Sequence, residues 1–206
     1  ANFAKEKLMI DIPNFFKIKI DKYAQIDFTS FVNVIDAVGG VDLEITAEEA
    51  KMGYVGAYPY AEVISGYTSF YLGAKSVCPS VTMDVKYTNS WFDIALEKEA
   101  ANALIADGCV LMSQHADSEG APKACEEAGV PDVAYNLDTR MWGPNTALIS
   151  SKINWQPYFE HIVNAVSEGT AITQDFCGGL EEEVVQILGL NEDVAAEGTV
   201  EKLEEV

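Results

Sequence analysis

Five short stretches of the chain combine aromatic rings with hydrogen-bonding groups. They are Tyr58-Pro59-Tyr60, Asn89-Ser90-Trp91-Phe92-Asp93, Gln114-His115-Ala116-Asp117-Ser118, Asn136-Leu137-Asp138 and Asn154-Trp155. Each follows a run that reads as a β-strand: GYVGA, VTMDVKYT, CVLMS, DVAY and TALISS. Aromatic faces stack on planar or sugar-like molecules, while Asn, Asp and His side chains fix polar edges. That combination suits a neutral small molecule better than a phosphate. Turn chemistry alone also places Asn, Asp and Ser after strands. It is the convergence of five such loops that points to a site, with Tyr58, Trp91, Phe92, His115, Asn136, Asp138 and Asn154 as ligand-binding candidates.

Catalysis is the weaker reading. No GxSxG elbow, Walker-type loop or HExxH motif occurs. His115 and Asp117 could form an acid–base pair, but residues two apart point the same way only if a strand continues through them. No nucleophile accompanies them. His161 falls in a helical run and reads as a surface or packing residue. Met141 and Trp142 flank Arg140 and fit a gate or a packing patch equally. The four cysteines, at 78, 109, 125 and 177, match no CxxC motif. They read as buried or incidental thiols, with a disulfide or a metal site as lesser options. Two histidines make zinc a poor fit, and no cofactor is expected.

The elements that would position these loops follow from periodicity. Helices are expected over 60–77, 94–107, 118–128 and 155–168. Asn89, Ser90 and Asp93 offer caps for the second, whose Ile94, Ala101, Leu104 and Ile105 share one face. Gly108, Gly129 and Gly169 stop helices. Strands alternating with such helices imply βαβ crossovers and a parallel sheet, with ligands beyond the carboxyl ends of the strands. Residues 181–206 carry nine acids and one Lys and read as partly helical, a solvated face or loose end. Residues 1–50 have a different texture. FFKIKI, YAQIDF and VDLEI alternate, Thr29 caps a helical SFVNVIDAV ended by Gly39-Gly40, and Thr46 with Glu49 makes a capping box.

Composition narrows the partners. The chain has 206 residues, 33 acidic and 13 basic, and a net charge of −20. Twelve of the basic residues are Lys and one is Arg140. Displacing counterions from nucleic acid requires a basic surface, so nucleic acid is excluded as a partner. No apolar run reaches the ~18 residues of a membrane span. Residues 1–10 lack a signal-peptide pattern, which fits either a cytoplasmic chain or a mature or truncated form.

Two families are resembled, one in each part. KMGYVGAYPYAEVISGYTSFYLGAKSV, YTNSWFDIALEKEAANALIADGCVLMSQHADS and EEAGVPDVAYNLD are similar to the basic membrane protein family of solute-binding lipoproteins, from Lys51 to the C-terminus. The resemblance implies an α/β lobe of a type 1 periplasmic-binding-protein fold. It further implies an ABC-transporter permease as partner, an extracytoplasmic location on a lipid anchor absent from this chain, and a purine nucleoside or similar ligand. By that similarity Trp91 stacks on the base, and Asn136 and Asp138 stand where an acidic pair meets ribose. Asn154 stands where the nucleoside receptors have Lys. His115 and Tyr58 fall in cleft-facing loops.

FFKIKIDKYAQIDFTSFVNVIDAVGGVDLEITAEEAK resembles an internal piece of the LytR-CpsA-Psr family of cell-wall glycopolymer transferases. Those enzymes hold a pyrophosphate with arginines, and residues 1–50 contain none. The resemblance therefore implies an inactive phosphotransferase fragment as the alternative function. The sequence reads as a chimera: a small α+β segment over 1–50 in place of a first lobe, joined to a solute-binding lobe over 51–206 with an acidic tail.

Overall fold

A computed structural model describes residues 23–24, 50–196 and 198–204. The helix, strands and capping box expected within 1–49 lie outside the described residues, apart from the strand pair Tyr23–Ala24 (β1). From residue 51 the chain runs β2 (Lys51–Gly56), α1 (Ala61–Val77), β3 (Thr82–Tyr87), α2 (Ile94–Ala106), β4 (Leu111–His115), α3 (Gly120–Ala128) and β5 (Asp132–Tyr135). It continues through β6 (Ala147–Ile153), α4 (Gln156–Glu168), β7 (Asp175–Phe176), β8 (Val185–Leu188) and α5 (Thr199–Glu204).

Six strands form one sheet in the order β3-β2-β4-β5-β6-β8. The first five are parallel, and β8 joins β6 antiparallel at the edge. The mixed α/β class with a mostly parallel sheet is therefore observed. Parallel strands buried on both faces read as near-continuous apolar runs, and Met52, Tyr54, Val55, Met112, Val133 and Ala134 are all buried. Crossovers to parallel strands are right-handed. The connection β2→β3 runs one way along the sheet and β3→β4 runs back, so α1 and α2 cover opposite faces. One face packs Met52, Tyr54, Val133, Tyr135 and Ile149 with Val63 and Phe70 of α1. The other packs Val55 and Met112 with Ala101 and Leu104 of α2 and Ala121, Ala124 and Cys125 of α3.

Local signals explain the element ends. Asp93 caps α2, its Oδ1 accepting from the N–H groups of Ala95 and Leu96 at 3.1 and 3.0 Å. Such a cap stabilises by about 1 kcal/mol. Gly129 and Gly169 end α3 and α4 with φ of +68° and +66°, a conformation that excludes most L-residues.

Three readings need correction. Ile94 is 42% exposed; the buried first-turn residue of α2 is Glu97, because the helix starts one turn outside the core. Strand β4 continues through Gln114 and His115, so these residues end a strand instead of opening a loop. Residues 185–188 form edge strand β8, and Val184 and Val185 are buried there, so the acidic region is not simply a loose end. Its acids precede and follow an apolar run short enough to escape periodicity. Among the described residues no helix is long and apolar enough to cross a membrane.

Candidate ligand-binding site

Strand order reverses at β2: β3 lies on one side, β4 and its successors on the other. In open α/β sheets the crevice beyond the carboxyl ends of the strands at such a point is the natural ligand position. Here it is filled with rings. Tyr58 and Tyr60 stack with centroids 5.0 Å apart and planes 10° from parallel. Trp91 lies 5.6 Å from Tyr58 and 6.1 Å from Tyr60, tilted against both. His115 sits edge-on to Trp91 at 6.3 Å and 4.3 Å from Tyr135. Rings at these separations attract through offset and edge contacts, and they link β2, β3, β4 and β5 along one edge.

Trp91 is fixed from three sides. Thr88 Oγ1 donates to the Ser90 carbonyl at 2.8 Å and accepts from Ser90 N–H at 3.3 Å, which shapes the turn before it. The Thr88 and Asn89 N–H groups donate to the Gly56 and Ala57 carbonyls, prolonging the β2–β3 ladder. Asp117 N–H donates to the Trp91 carbonyl at 2.8 Å. Beneath this, the fully buried Glu97 carboxylate accepts from Asp93 N–H at 3.1 Å and Ser118 N–H at 3.1 Å. Burial raises its pKa, and these hydrogen bonds hold the rise back. Glu97 was not a sequence candidate; its spacing of four from the cap Asp93, one beyond the usual capping box, was the available signal.

His115 is 2% exposed. It packs between Trp91 and Tyr135 under the first turns of α1, and does not stand on an open loop. Its Nε2 lies 3.6 Å from Glu62 Oε1, and its Nδ1 has no hydrogen-bond partner. A Cβ at Gly66 would come within 2.9 Å of Nδ1, so the glycine makes room for the imidazole. His115 beside Glu62 holds that carboxyl below the usual range, with burial opposing. Burial raises Asp117, with His115 opposing. Among the described residues no His/Cys/Asp/Glu group could hold a metal ion.

The other candidates separate into distinct places. Phe92 is 61% exposed beside the ring cluster. Asn136 follows the buried Tyr135, adopts φ +67° and accepts from Ile153 N–H at 3.5 Å. Asn154 precedes α4, its Oδ1 accepting from the Gln156 N–H at 3.2 Å and its amide donating to the Glu183 carbonyl at 3.0 Å. Asp138 turns toward the β8 side, where both oxygens are held by Arg140, whose Nη1 also donates to the Leu190 carbonyl. Arg140 keeps the Asp138 carboxyl below its ordinary range. Trp91 thus touches both Tyr58 and His115, Asn136 follows Tyr135 at the end of β5, and Asp138 is committed elsewhere. An open groove of about 580 Å³ beside α4 includes Asn154, Trp155, Phe159 and Val163. It shares only Asn154 with the candidates. His161 lies on α4, its ring 5.7 Å from Phe176, which is a packing role.

Comparison with known proteins agrees with this architecture. Residues 40–206 match the family model for the PnrA-like ABC transporter substrate-binding protein, and residues 5–57 match that of the LytR-CpsA-Psr family. A Haloferax volcanii protein named as an ABC transporter glucose-binding protein is 36% identical over 140 residues, 68% of this chain and 36% of that protein. A purine-binding protein of Brucella abortus is 35% identical over 150 residues, 73% of this chain and 43% of its own length. The chain thus spans about two fifths of these relatives. A crystal structure of an ABC transporter solute-binding protein from Aeropyrum pernix superposes with a TM-score of 0.67 at 18% identity, covering 97% of this chain and 66% of that one. The chain belongs to the PnrA-like family of ABC transporter substrate-binding proteins.

Proposed function

We propose that residues 51–206 act as one lobe of a solute receptor that serves an ABC importer, and that its ligand is a nucleoside or a similar ring-bearing small molecule. The observation that carries this reading is the cluster of Tyr58, Tyr60 and Trp91 at the reversal of strand order. A planar base stacks on such rings at low entropic cost, because each side chain is already packed. The family relative named for purine binding supports it. Asn136, exposed at the end of β5, supplies hydrogen bonds to a sugar, and Asp138 joins only by sharing its carboxylate with Arg140. The permease, an extracytoplasmic location and a lipid anchor belong to the same proposal. So does a division of the chain near residue 50, with the LytR-like part contributing no transfer chemistry, since residues 1–50 hold no arginine.

The test is thermal unfolding of the full chain with adenosine, guanosine, cytidine and glucose up to millimolar concentration. A bound ligand stabilises by RT ln(1 + [L]/Kd). A rise in Tm with nucleosides supports the reading. No shift with any nucleoside overturns it, and a shift with glucose alone replaces it with a sugar ligand.

A further inference from the structure

We propose that Glu62 and His115 form a donor-reading end of this site, so that the preferred ligand is an aminopurine nucleoside and not a phosphorylated one. The inference rests on the nucleoside reading above and adds a specificity residue, Glu62, from a helix that contributed no candidate.

The geometry comes from α1. Glu62, Gly66 and Phe70 recur every four residues and so share one face of the helix. Phe70 and Gly66 are buried against the sheet. Glu62 is therefore the end of that face that reaches past the sheet edge, beside the ring cluster. Its side chain remains 53% exposed while its Oε1 lies 3.6 Å from His115 Nε2. That distance is longer than an ordinary hydrogen bond, and the exposed Glu62 carboxylate keeps oxygen lone pairs for a ligand donor. The first turn of a helix favours a carboxylate, so Glu62 presents an ionised acceptor. Behind it, His115 is buried with its Nδ1 against Gly66 of α1 and its Nε2 toward Glu62.

The charged groups described beside His115 are carboxylates. Asp117 stands with Glu62 around His115, and the Glu62 charge helps to raise the Asp117 carboxyl above its ordinary range after burial. Lys51, Lys86, Lys98 and Lys123 are paired with Asp84, Asp107, Glu127 and Glu119, outside this cluster. Arg140 is held by Asp138. A phosphate placed here would meet the Glu62 and Asp117 carboxylates, whereas Lys152, which has no carboxylate partner among the described residues, lies in the groove beside α4. An exocyclic amine would instead donate to Glu62 while its ring stacks on Trp91. Sites built to accept from a ligand N–H reject analogues that lack it far better than an apolar pocket rejects a missing methylene.

Isothermal titration of the full chain with adenosine, purine riboside (which lacks the amine) and adenosine 5′-monophosphate tests this. The expected result is tighter binding of adenosine than of either analogue, by about tenfold or more. In Glu62→Ala the preference over purine riboside falls to within about twofold. Glu62→Asp recovers part of the preference. Trp91→Ala weakens adenosine and purine riboside in equal proportion. Adenosine binding with an unchanged ratio in Glu62→Ala overturns the role of Glu62 and leaves the nucleoside reading standing. Equal binding of adenosine and its monophosphate overturns the charge argument. Absence of binding by both nucleosides overturns the inference together with the reading beneath it.

Discussion

Asp117 donates its backbone N–H to the carbonyl oxygen of Trp91 at 2.8 Å, which ties the loop after β4 to the loop after β3 at the residue that carries the ring. Glu97 reinforces the tie from below by accepting from Asp93 and Ser118, one on each loop. The position of Trp91 therefore depends on a buried carboxylate that never reaches the crevice.

This makes Glu97 a test of positioning. Glu97→Ala leaves the buried Ser118 N–H without its partner, at about 1–3 kcal/mol, and the half-buried Asp93 N–H at less, so a loss of about 2–4 kcal/mol is expected. Glu97→Gln keeps one acceptor oxygen and should lose less. Urea unfolding measures the stability. Near-ultraviolet circular dichroism of the folded variants should report a changed Trp91 environment in Glu97→Ala and little change in Glu97→Gln. Equal stability of all three proteins would mean that water replaces the carboxylate at no cost.

Trp91→Ala removes the stacking face. Base–aromatic stacking contributes about 1–3 kcal/mol per base, so nucleoside affinity should fall roughly 5- to 150-fold by calorimetry. Trp91→Phe should retain most of it, because a ring still meets Tyr58 and Tyr60. Phe92→Ala is the control. Phe92 is 61% exposed, and its removal should change affinity less than twofold if stacking belongs to Trp91 alone.

The alternation of strands and helices was legible because buried parallel strands are apolar throughout and the helices between them are bounded by caps and glycines. DVAY occurs with the bounds expected for it. What misled the reading was polar residues inside elements. Gln114 and His115 look like loop residues, yet β4 holds them buried, with Gln114 Nε2 donating to the Ala116 carbonyl. Ile94 shares the apolar face of α2 in the sequence, yet it is exposed while Glu97 is buried, because the Glu97 carboxylate finds backbone donors. Ring residues at strand ends were legible as a group, since the parallel sheet brings them to one edge. Asp138 was not, because its pairing with Arg140 depends on the course of a loop that periodicity does not specify. Glu62 was hidden for a similar reason: only the α1–β4 packing brings it to His115.

The thiols should divide by burial. Burial pushes Cys109 up to about 11 and raises Cys125 further, while Cys177 is exposed. The thiolate is the reactive species. In native protein at pH 8, a disulfide reagent such as DTNB should modify Cys177 rapidly and Cys109 and Cys125 only after unfolding. Peptide mapping identifies the sites. Fast reaction at Cys125 would show that α3 opens readily from the sheet.

Asp132 should give the fold a pH dependence. Its side chain is 1% exposed at the start of β5, and neither carboxylate oxygen has a partner in hydrogen-bonding geometry. Burial pushes its pKa up to about 7, with the nearby Thr139 hydroxyl holding it back. In the unfolded chain an Asp ionises near 3.9. The folded state thus binds the proton more tightly, so the contribution to stability is complete below about pH 4 and is lost as pH rises to about 7. Three pH units correspond to about 4 kcal/mol at 1.36 kcal/mol each, an upper bound since water can enter. Asp132→Asn removes the titration and keeps the shape. Its Tm should exceed that of the unaltered protein at pH 8, and the gap should close toward pH 4. Unfolding curves of both proteins across that range decide the matter: a constant gap would mean that Asp132 stays ionised in the fold, with its charge met by water.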